Sequence, residues 1–228
     1  MFKSIIDIVI PRCCNACHGH LTFGEKVLCT SCRHQLSVTQ FNYCIENECD
    51  RSFYGKTSFV KASALFYFDQ AGILKALLHQ LKYRDQQQLG VFFANWTAAI
   101  LKQDSCLTTV DYLVPVPLHW RKKHQRGYNQ LHLFCKRLSK LMNWNYAPQL
   151  LKRVNYRDSQ THKSRVNRSF ENNPFELKTT VDLSDQTILI VDDLITTGST
   201  MTHCSNAILN RYPSKIYLLS IGYRSRFV

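Results

Sequence analysis

The chain has 228 residues, enough for one α/β domain with a small appendage and too few for two full-sized domains. Hydrophobic residues make up 45% of it, which predicts a packed core and argues against global disorder. The 29 basic and 16 acidic residues give a net charge of +13, which favours anionic partners and is equally compatible with a basic surface that serves solubility.

The first residues are not expected to form a targeting signal. Ile5–Val9 is predicted to be a short amphipathic helix that ends at Pro11, and Asp7 interrupts its apolar stretch. No run approaches the roughly 20 apolar residues of a membrane helix. We therefore expect a cytosolic protein without membrane insertion.

A cysteine-rich module is predicted for residues 1–54. Seven of the ten cysteines lie between Cys13 and Cys49. Two C-x₂-C knuckles, separated by eleven residues, supply the four thiolates of a tetrahedral zinc site, namely Cys14, Cys17, Cys29 and Cys32. A metal would hold together a zinc-ribbon-like segment that is too small for a hydrophobic core. A thioredoxin-like redox motif needs only one such pair, so two knuckles favour structural Zn²⁺.

Other cysteines leave alternatives open. Cys13 could replace Cys14 as a ligand, although the C-x₂-C spacing favours Cys14. Cys44 and Cys49 form a looser pair that resembles a worn second half-site. The remaining three cysteines are expected to be ordinary buried thiols: Cys106, Cys135 and Cys204.

Residues 55–228 are predicted to form the second, larger domain, in which strands and helices alternate. In chain order the patterns predict a strand over Phe59–Phe68, helices over Ala71–Tyr83 and Gln87–Leu101, a strand over Asp111–Pro115, a helix over Gly127–Leu141, a basic loop over Asn155–Asn173, a strand over Thr187–Val191, a helix over Ser199–Leu209 and a strand over Lys215–Tyr223. This alternation is typical of an α/β fold with a mainly parallel sheet and right-handed crossovers.

The segment from Ile188 to Thr200 has the pattern of a phosphate-binding loop. A buried strand delivers it to the carboxyl edge of the sheet, where α/β folds bind ligands. Thr196, Thr197, Gly198, Ser199 and Thr200 then place hydroxyls and backbone N–H groups at a helix N-terminus, which favours a phosphate. Asp192 and Asp193 would repel a phosphate, so they are better explained as acceptors for sugar hydroxyls or as water-mediated Mg²⁺ ligands. A simple capped helix explains the hydroxyls but not the two adjacent acids.

Ile188 to Thr200 resembles the signature that binds phosphoribosyl pyrophosphate (PRPP) in type I phosphoribosyltransferases. The wider chain resembles the ComF/GntX family, which is associated with natural competence and DNA uptake. That resemblance depends on the cysteine-rich start, the aspartate pair and three further segments: Leu81 to Arg84, Val114 to His119, and Arg126 to Gln130.

The resemblance implies roles for individual residues. Asp192 and Asp193 would act on the ribose, and Thr196 to Thr200 would bind the 5′-phosphate. The pyrophosphate loop would be formed by Val116, Pro117 and Leu118. Candidates to neutralise the leaving pyrophosphate are Arg121, Arg126, Arg157, Lys163 and Arg165. The expected register of Arg, Asn and Phe is not kept by Arg168, Asn172 and Phe175.

Three functions compete at this stage. A competence protein required for DNA uptake and transformation could use the pocket for PRPP or a nucleotide-like ligand, together with competence or DNA-processing proteins. An active phosphoribosyltransferase would move the 5-phosphoribosyl group from PRPP, with Mg²⁺, to an unknown nitrogen acceptor. A third possibility is a scaffold for partners or single-stranded DNA, because Trp120, Tyr128 and Tyr156 lie near basic residues.

Overall fold

The structure is a computed structural model that describes residues 12–82, 86, 88–120, 124, 127–154 and 173–225. Several sequence predictions fall outside the described residues. These are the helix over Ile5–Val9, the basic segment 155–172 with its candidate ligands, Tyr156, and the two candidate pyrophosphate ligands Arg121 and Arg126.

A five-stranded sheet, in which every neighbouring pair is parallel, forms the centre of the molecule. Its strand order is β1-β7-β6-β2-β3. The strands are β1 (Lys61–Tyr67), β2 (Tyr112–Pro115), β3 (Asn145–Tyr146), β6 (Thr187–Ile195) and β7 (Lys215–Tyr223). The expectation of an α/β fold with a mainly parallel sheet is confirmed. A separate antiparallel ribbon pairs β4 (Leu151–Arg153) with β5 (Phe175–Leu177).

Helices cover both faces of this sheet. They are α1 (Thr30–His34), α2 (Glu48–Arg51), α3 (Ile73–Gln80), α4 (Gln88–Leu101), α5 (His132–Met142) and α6 (Ser199–Leu209). One buried cluster joins α3, α4 and α5 to the sheet through residues such as Leu77, Phe93 and Phe134. The second cluster lies under α6 and includes Met201 and Cys204. The run from Ile188 to Val191 is fully buried because alternate residues enter the two clusters.

Two predicted boundaries differ from the structure by about four residues or more, and others differ by fewer. The last helical element before the ribbon begins at His132 rather than at Gly127, because residues 127–131 form a turn around Gly127, whose φ is +75°. Strand β6 continues four residues beyond Val191, since its pairing with β7 extends to Ile195 opposite Tyr223. The two acids therefore lie inside the strand and not after it.

The N-terminal cysteine-rich segment packs on the sheet rather than standing apart from it. The Tyr43 hydroxyl donates to the Leu218 carbonyl at 3.0 Å. Asp50 is fully buried, accepts from the Ala62 N–H at 2.8 Å and pairs with Lys61 at 3.1 Å. These contacts attach residues 43–50 to β1 and β7. In the part of the chain that the structure describes, no helix has both the length and the apolar character needed to cross a membrane.

Candidate functional site

The carboxyl ends of β2 and β6 bring two predicted loops to the same edge of the sheet. Pro115 is opposite Val191 in the pairing, and the Val116 N–H donates to the Val191 carbonyl at 2.8 Å. Val116 is buried, while Pro117 and Leu118 are half-buried. The Asn129 amide donates to the Val116 carbonyl at 3.0 Å and fixes this turn. The segment 116–118 therefore begins beside the aspartates. A site formed jointly by this segment and the loop of residues 196–200 requires that placement.

The side chains of Asp192 and Asp193 lie on opposite faces of β6. Asp192 follows the side-chain alternation of Ile188 and Ile190 toward α6, where it interacts with Arg153 and Cys204. Asp193 points toward the other face, where the Gln130 amide donates to its Oδ2 at 3.1 Å. The Asp193 N–H donates to Asp192 Oδ1 at 2.8 Å.

Burial raises the pKa of the Asp192 carboxyl well above its ordinary value, and the adjacent Asp193 charge raises it further. The Arg153 guanidinium opposes this increase only in part. A carboxylate in such a place is stabilised by a ligand that offers hydroxyl donors or a cation. Both belong to a sugar bound with Mg²⁺, so the donor set is suitable for that metal.

The loop between β6 and α6 presents backbone donors at a helix N-terminus. Gly198, with φ +74°, is the N-cap residue of α6, and the first helical hydrogen bond runs from Thr202 N–H to its carbonyl. Among the described residues, no protein group accepts a hydrogen bond from the N–H of Thr196, Thr197, Gly198 or Thr200. The Ser199 N–H makes only a long contact, 3.4 Å, with the Thr197 hydroxyl. These amides and the helix dipole can bind a phosphate.

Side chains from distant segments surround this loop, and sequence patterns did not select most of them. Phe53 packs against Gly198, Lys56 donates to the Thr197 carbonyl, and Arg153 lies on the Asp192 side. Gln130, which binds Asp193, is different because it belongs to the Arg126 to Gln130 segment that carried the family resemblance. Within the sequence, no local spacing signals the other three residues.

The four knuckle cysteines converge on one point. The Sγ atoms of Cys14, Cys17, Cys29 and Cys32 all lie within 4.8 Å of one another, and those of Cys17 and Cys29 are 3.8 Å apart. A tetrahedral zinc site with Zn–S bonds of about 2.3 Å has sulfur–sulfur edges of about 3.8 Å, so the cluster is suitable for Zn²⁺. Cys13 is not part of this cluster. Geometry thus selects Cys14, as the spacing indicated.

Backbone donors favour the thiolate form of Cys14, whereas burial and the neighbouring cysteines raise the pKa of Cys32. The N–H groups of Ala16 and Cys29 approach Cys14 Sγ at 3.4 and 3.3 Å. Burial raises the pKa of the Cys14 thiol, but its hydrogen bonds with Cys17, Cys29 and Ala16 together outweigh that effect and lower the pKa to about 6. A low thiol pKa is typical of a metal ligand because the thiolate is the binding form.

Cys44 and Cys49 do not form a second half-site. Cys44 is joined to Cys106 by a disulfide that spans 62 residues, whereas Cys49 is fully buried in the cluster under α6. The expectation that Cys106 is an ordinary buried thiol is therefore wrong, since this residue is exposed and bonded. Cys135 and Cys204 are buried, as expected.

Comparison with known proteins gives a consistent result. Residues 132–224 match the family described as the phosphoribosyl transferase domain. The chain is 26% identical to Competence protein F of Haemophilus influenzae over 211 residues, which cover 84% of this chain and 88% of that protein. It is 30% identical to DNA utilization protein YhgH of Salmonella typhimurium over 140 residues, 60% of this chain and 61% of that protein. Competence protein ComFC of Bacillus subtilis is 26% identical over 140 residues, 61% of this chain and 55% of that protein. The chain is therefore similar to competence and DNA utilization proteins, and its residues 132–224 match a phosphoribosyl transferase domain.

Proposed function

We propose that this protein acts in DNA uptake and natural transformation, and that it does so by binding PRPP or a related nucleotide-like ligand at the carboxyl edge of its sheet. One observation carries the ligand proposal. Asp192 and Asp193 lie two residues before a loop in which the N–H groups of Thr196, Thr197, Gly198 and Thr200 have no acceptor among the described residues. The names of the relatives, Competence protein F and DNA utilization protein YhgH, support the biological role.

Each part of the ligand would have its own contacts. The N–H groups and hydroxyls of residues 196–200 would bind the 5′-phosphate, and the aspartates would accept from ribose hydroxyls or hold Mg²⁺ through water. Bound Mg²⁺ would neutralise pyrophosphate charge. The turn of Val116, Pro117 and Leu118 would lie along the pyrophosphate. Arg121 and Arg126 are proposed to contact the same group.

Calorimetric titration with PRPP and Mg²⁺ tests the pocket. Wild type should bind, and Asp193→Asn should bind at least ten-fold more weakly because it removes an acceptor of the sugar. The matched control is Asp182→Asn, which makes the same change at an exposed aspartate that precedes the amino end of β6. Equal binding by all three proteins, or by none, would refute the assigned pocket.

Catalysis is a second candidate function on the same pocket. The acids and the phosphate loop resemble those of type I phosphoribosyltransferases, so PRPP and a nitrogen nucleophile would give a phosphoribosylated product and pyrophosphate. Pyrophosphate release, measured across a panel of nucleobases and amines, distinguishes an enzyme from a binding protein. If none of them releases pyrophosphate while PRPP binds, the sensing or scaffolding role is favoured.

Transformation frequency tests the biological proposal. A strain whose only copy encodes Asp193→Asn should lose transformants relative to the Asp182→Asn strain if ligand binding serves DNA uptake. Normal transformation with a pocket that no longer binds would show that the domain acts as a scaffold in this pathway.

Direct contact with single-stranded DNA receives mixed support. Trp120 is 52% exposed and stacks on His119, which suits base stacking. Tyr128 is half-buried, and its hydroxyl donates to the Leu81 carbonyl at 3.1 Å, which holds its ring against the protein. If DNA binds through phosphates, its affinity should fall steeply with salt. Trp120→Ala should then weaken binding without changing that salt slope.

The cysteine cluster is proposed to hold one structural Zn²⁺. Metal analysis of the purified protein should give about one zinc per chain, because four thiolates complete one tetrahedral site. Cys17→Ser should lose the metal, and Cys13→Ser should retain it, since Cys13 lies outside the cluster. A folded wild-type protein that contains no zinc would refute this proposal.

A further inference from the structure

We propose that Lys56 positions the phosphate-binding loop, holding the peptide between Thr197 and Gly198 so that the Gly198 N–H is presented to the phosphate of the ligand. This inference rests on the function proposed above and adds a residue from the N-terminal segment to that site. Nothing in the local sequence around Lys56 marks it as a ligand-site residue, because it lies 141 positions before the loop.

The contacts of Lys56 are specific. Its Nζ donates to the Thr197 carbonyl at 2.9 Å and to the Ser52 carbonyl at 2.7 Å. Ser52 is the C-cap residue of α2, so the ammonium also binds the end of that helix. The Asn206 amide of α6 donates to the Lys56 carbonyl at 3.3 Å. Lys56 is therefore linked to the loop and to the helix that follows it.

Because a peptide is planar, the contact of Lys56 with the Thr197 carbonyl also fixes the direction of the Gly198 N–H. A trans peptide is planar, and its C=O and N–H bonds point in opposite directions. The described residues contain no cis peptide bond. Because Lys56 holds the Thr197 oxygen on the side of residues 52–56, the Gly198 N–H must point away from that side. Without the ammonium, this peptide could rotate and withdraw the donor from the phosphate.

Phe53 limits the loop from the same side. A Cβ atom on Gly198 would lie 2.8 Å from Phe53 Cε1, closer than real contacts allow. Gly198 is also in the left-handed region, with φ +74°. The loop is thus bounded by an aromatic ring at Gly198 and by an ammonium at Thr197. Both groups belong to the turn that follows α2.

Charge gives Lys56 a second effect. The Lys56 side chain is exposed, and its ammonium contacts the loop that would bind a phosphate dianion. A neutral donor could hold the Thr197 carbonyl but would not attract the phosphate. The contribution of Lys56 should therefore be larger for phosphorylated ligands than for neutral ones.

The test compares Lys56→Met, Lys56→Arg and Lys215→Met. Lys215 is exposed at the start of β7, the opposite edge of the sheet, so its variant matches the charge change alone. Calorimetry with PRPP and Mg²⁺, and with ribose 5-phosphate, should show about ten-fold weaker binding for Lys56→Met. Lys56→Arg should recover most of the loss, and Lys215→Met should bind like wild type.

A second readout separates positioning from general destabilisation. In ¹H–¹⁵N spectra, ribose 5-phosphate should shift the Gly198 amide of wild type strongly, and this shift should be much reduced in Lys56→Met at saturating ligand. The thermal midpoints of the ligand-free proteins should differ by no more than about 2–4 °C, since the lost contact at the end of α2 is worth about 1 kcal/mol or less. Wild-type affinity and an unchanged Gly198 shift in Lys56→Met would overturn the role of Lys56 alone. If wild type binds neither PRPP nor ribose 5-phosphate, both the proposed function and this inference are refuted.

Discussion

At the scale of single residues, Asp192 combines a half-buried position with a neighbouring negative charge. Both effects raise the pKa of its carboxyl, so the folded state binds a proton more readily than the unfolded chain. A group whose pKa is raised by folding contributes less stability as pH increases above its unfolded value of about 3.9. The ligand-free protein is thus less stable near neutral pH than it would be with an uncharged side chain.

Asp192→Asn should therefore stabilise the ligand-free protein. The gain should be small near pH 4 and increase toward pH 7. Asp192 ionises more readily in the unfolded chain than in the folded protein, so its ionisation lowers the stability of wild type only above a pH of about 3.9. Each kcal/mol gained would raise the midpoint by about 2–4 °C for a protein of this size. Thermal unfolding of both proteins across this pH range measures the effect. A difference that is independent of pH would contradict the assigned cause.

Gly198→Ala should disable the phosphate loop, because it adds a steric clash to a left-handed backbone. Gly55 provides a matched control, since its φ is +71° and nothing lies within 4 Å of its Cβ position. Gly55→Ala should cost about 1 kcal/mol from backbone strain. Gly198→Ala should cost about 1–3 kcal/mol more, from the clash with Phe53, and should also abolish ligand binding. Equal unfolding free energies for the two variants would show that the Phe53 contact relaxes without cost.

At the scale of elements, the disulfide between Cys44 and Cys106 joins the N-terminal segment to the loop between α4 and β2. Closing a loop of 62 residues restricts the unfolded chain by about 4 kcal/mol in the entropic model. A reductant should therefore lower the thermal midpoint of wild type. The double variant Cys44→Ser, Cys106→Ser should be less stable and insensitive to the reductant. A wild type that does not respond would show that the two thiols are reduced, as the predicted cytosolic location would favour.

The segment that carries the four clustered cysteines also contributes to the core. Cys14, Leu28 and Cys32 are buried in the cluster that contains α3 and α4, and the Arg33 guanidinium lies 4.8 Å from the Trp96 ring centre. The Gln80 amide donates to the Asn15 carbonyl at 2.6 Å. Loss of the proposed zinc should therefore expose apolar residues of α3 and α4.

A zinc chelator should increase hydrogen exchange first in residues 12–35 and then in α3 and α4. Strands β6 and β7 should keep their protection, because α6 and the second cluster cover them. Cys13→Ser should behave like wild type in this experiment. Simultaneous loss of protection in all strands would show that the segment and the sheet unfold as one unit.

At the scale of the whole molecule, the net charge of +13 and the loop amides both favour an anionic ligand. A ligand that binds only the folded state stabilises it by mass action, about 2.7 kcal/mol at 100 times its dissociation constant. PRPP with Mg²⁺ should then raise the midpoint by roughly 5–10 °C. Asp193→Asn should show little increase at the same concentration, whereas Asp182→Asn should match wild type.

The sequence alone determined those features that depend on short-range spacing. Each knuckle is a short motif, and the buried strand from Ile188, the acids and the small-residue loop follow one another along the chain. Periodicity and residue type were therefore sufficient to identify them. The parallel sheet also followed, because strands and helices alternate along the chain. The last strand was predicted with the bounds that the structure shows, Lys215–Tyr223.

Only the tertiary structure decided which distant residues complete the site. Gln130 reaches Asp193 across 63 positions, Lys56 reaches Thr197 across 141, and Cys44 bonds with Cys106 across 62. Such contacts leave no periodic signal, because they arise when packing brings separate elements to one sheet edge. The extension of β6 to Ile195 has the same cause, since its partner strand β7, and not its own residues, supplies the hydrogen bonds that keep the acids in the sheet.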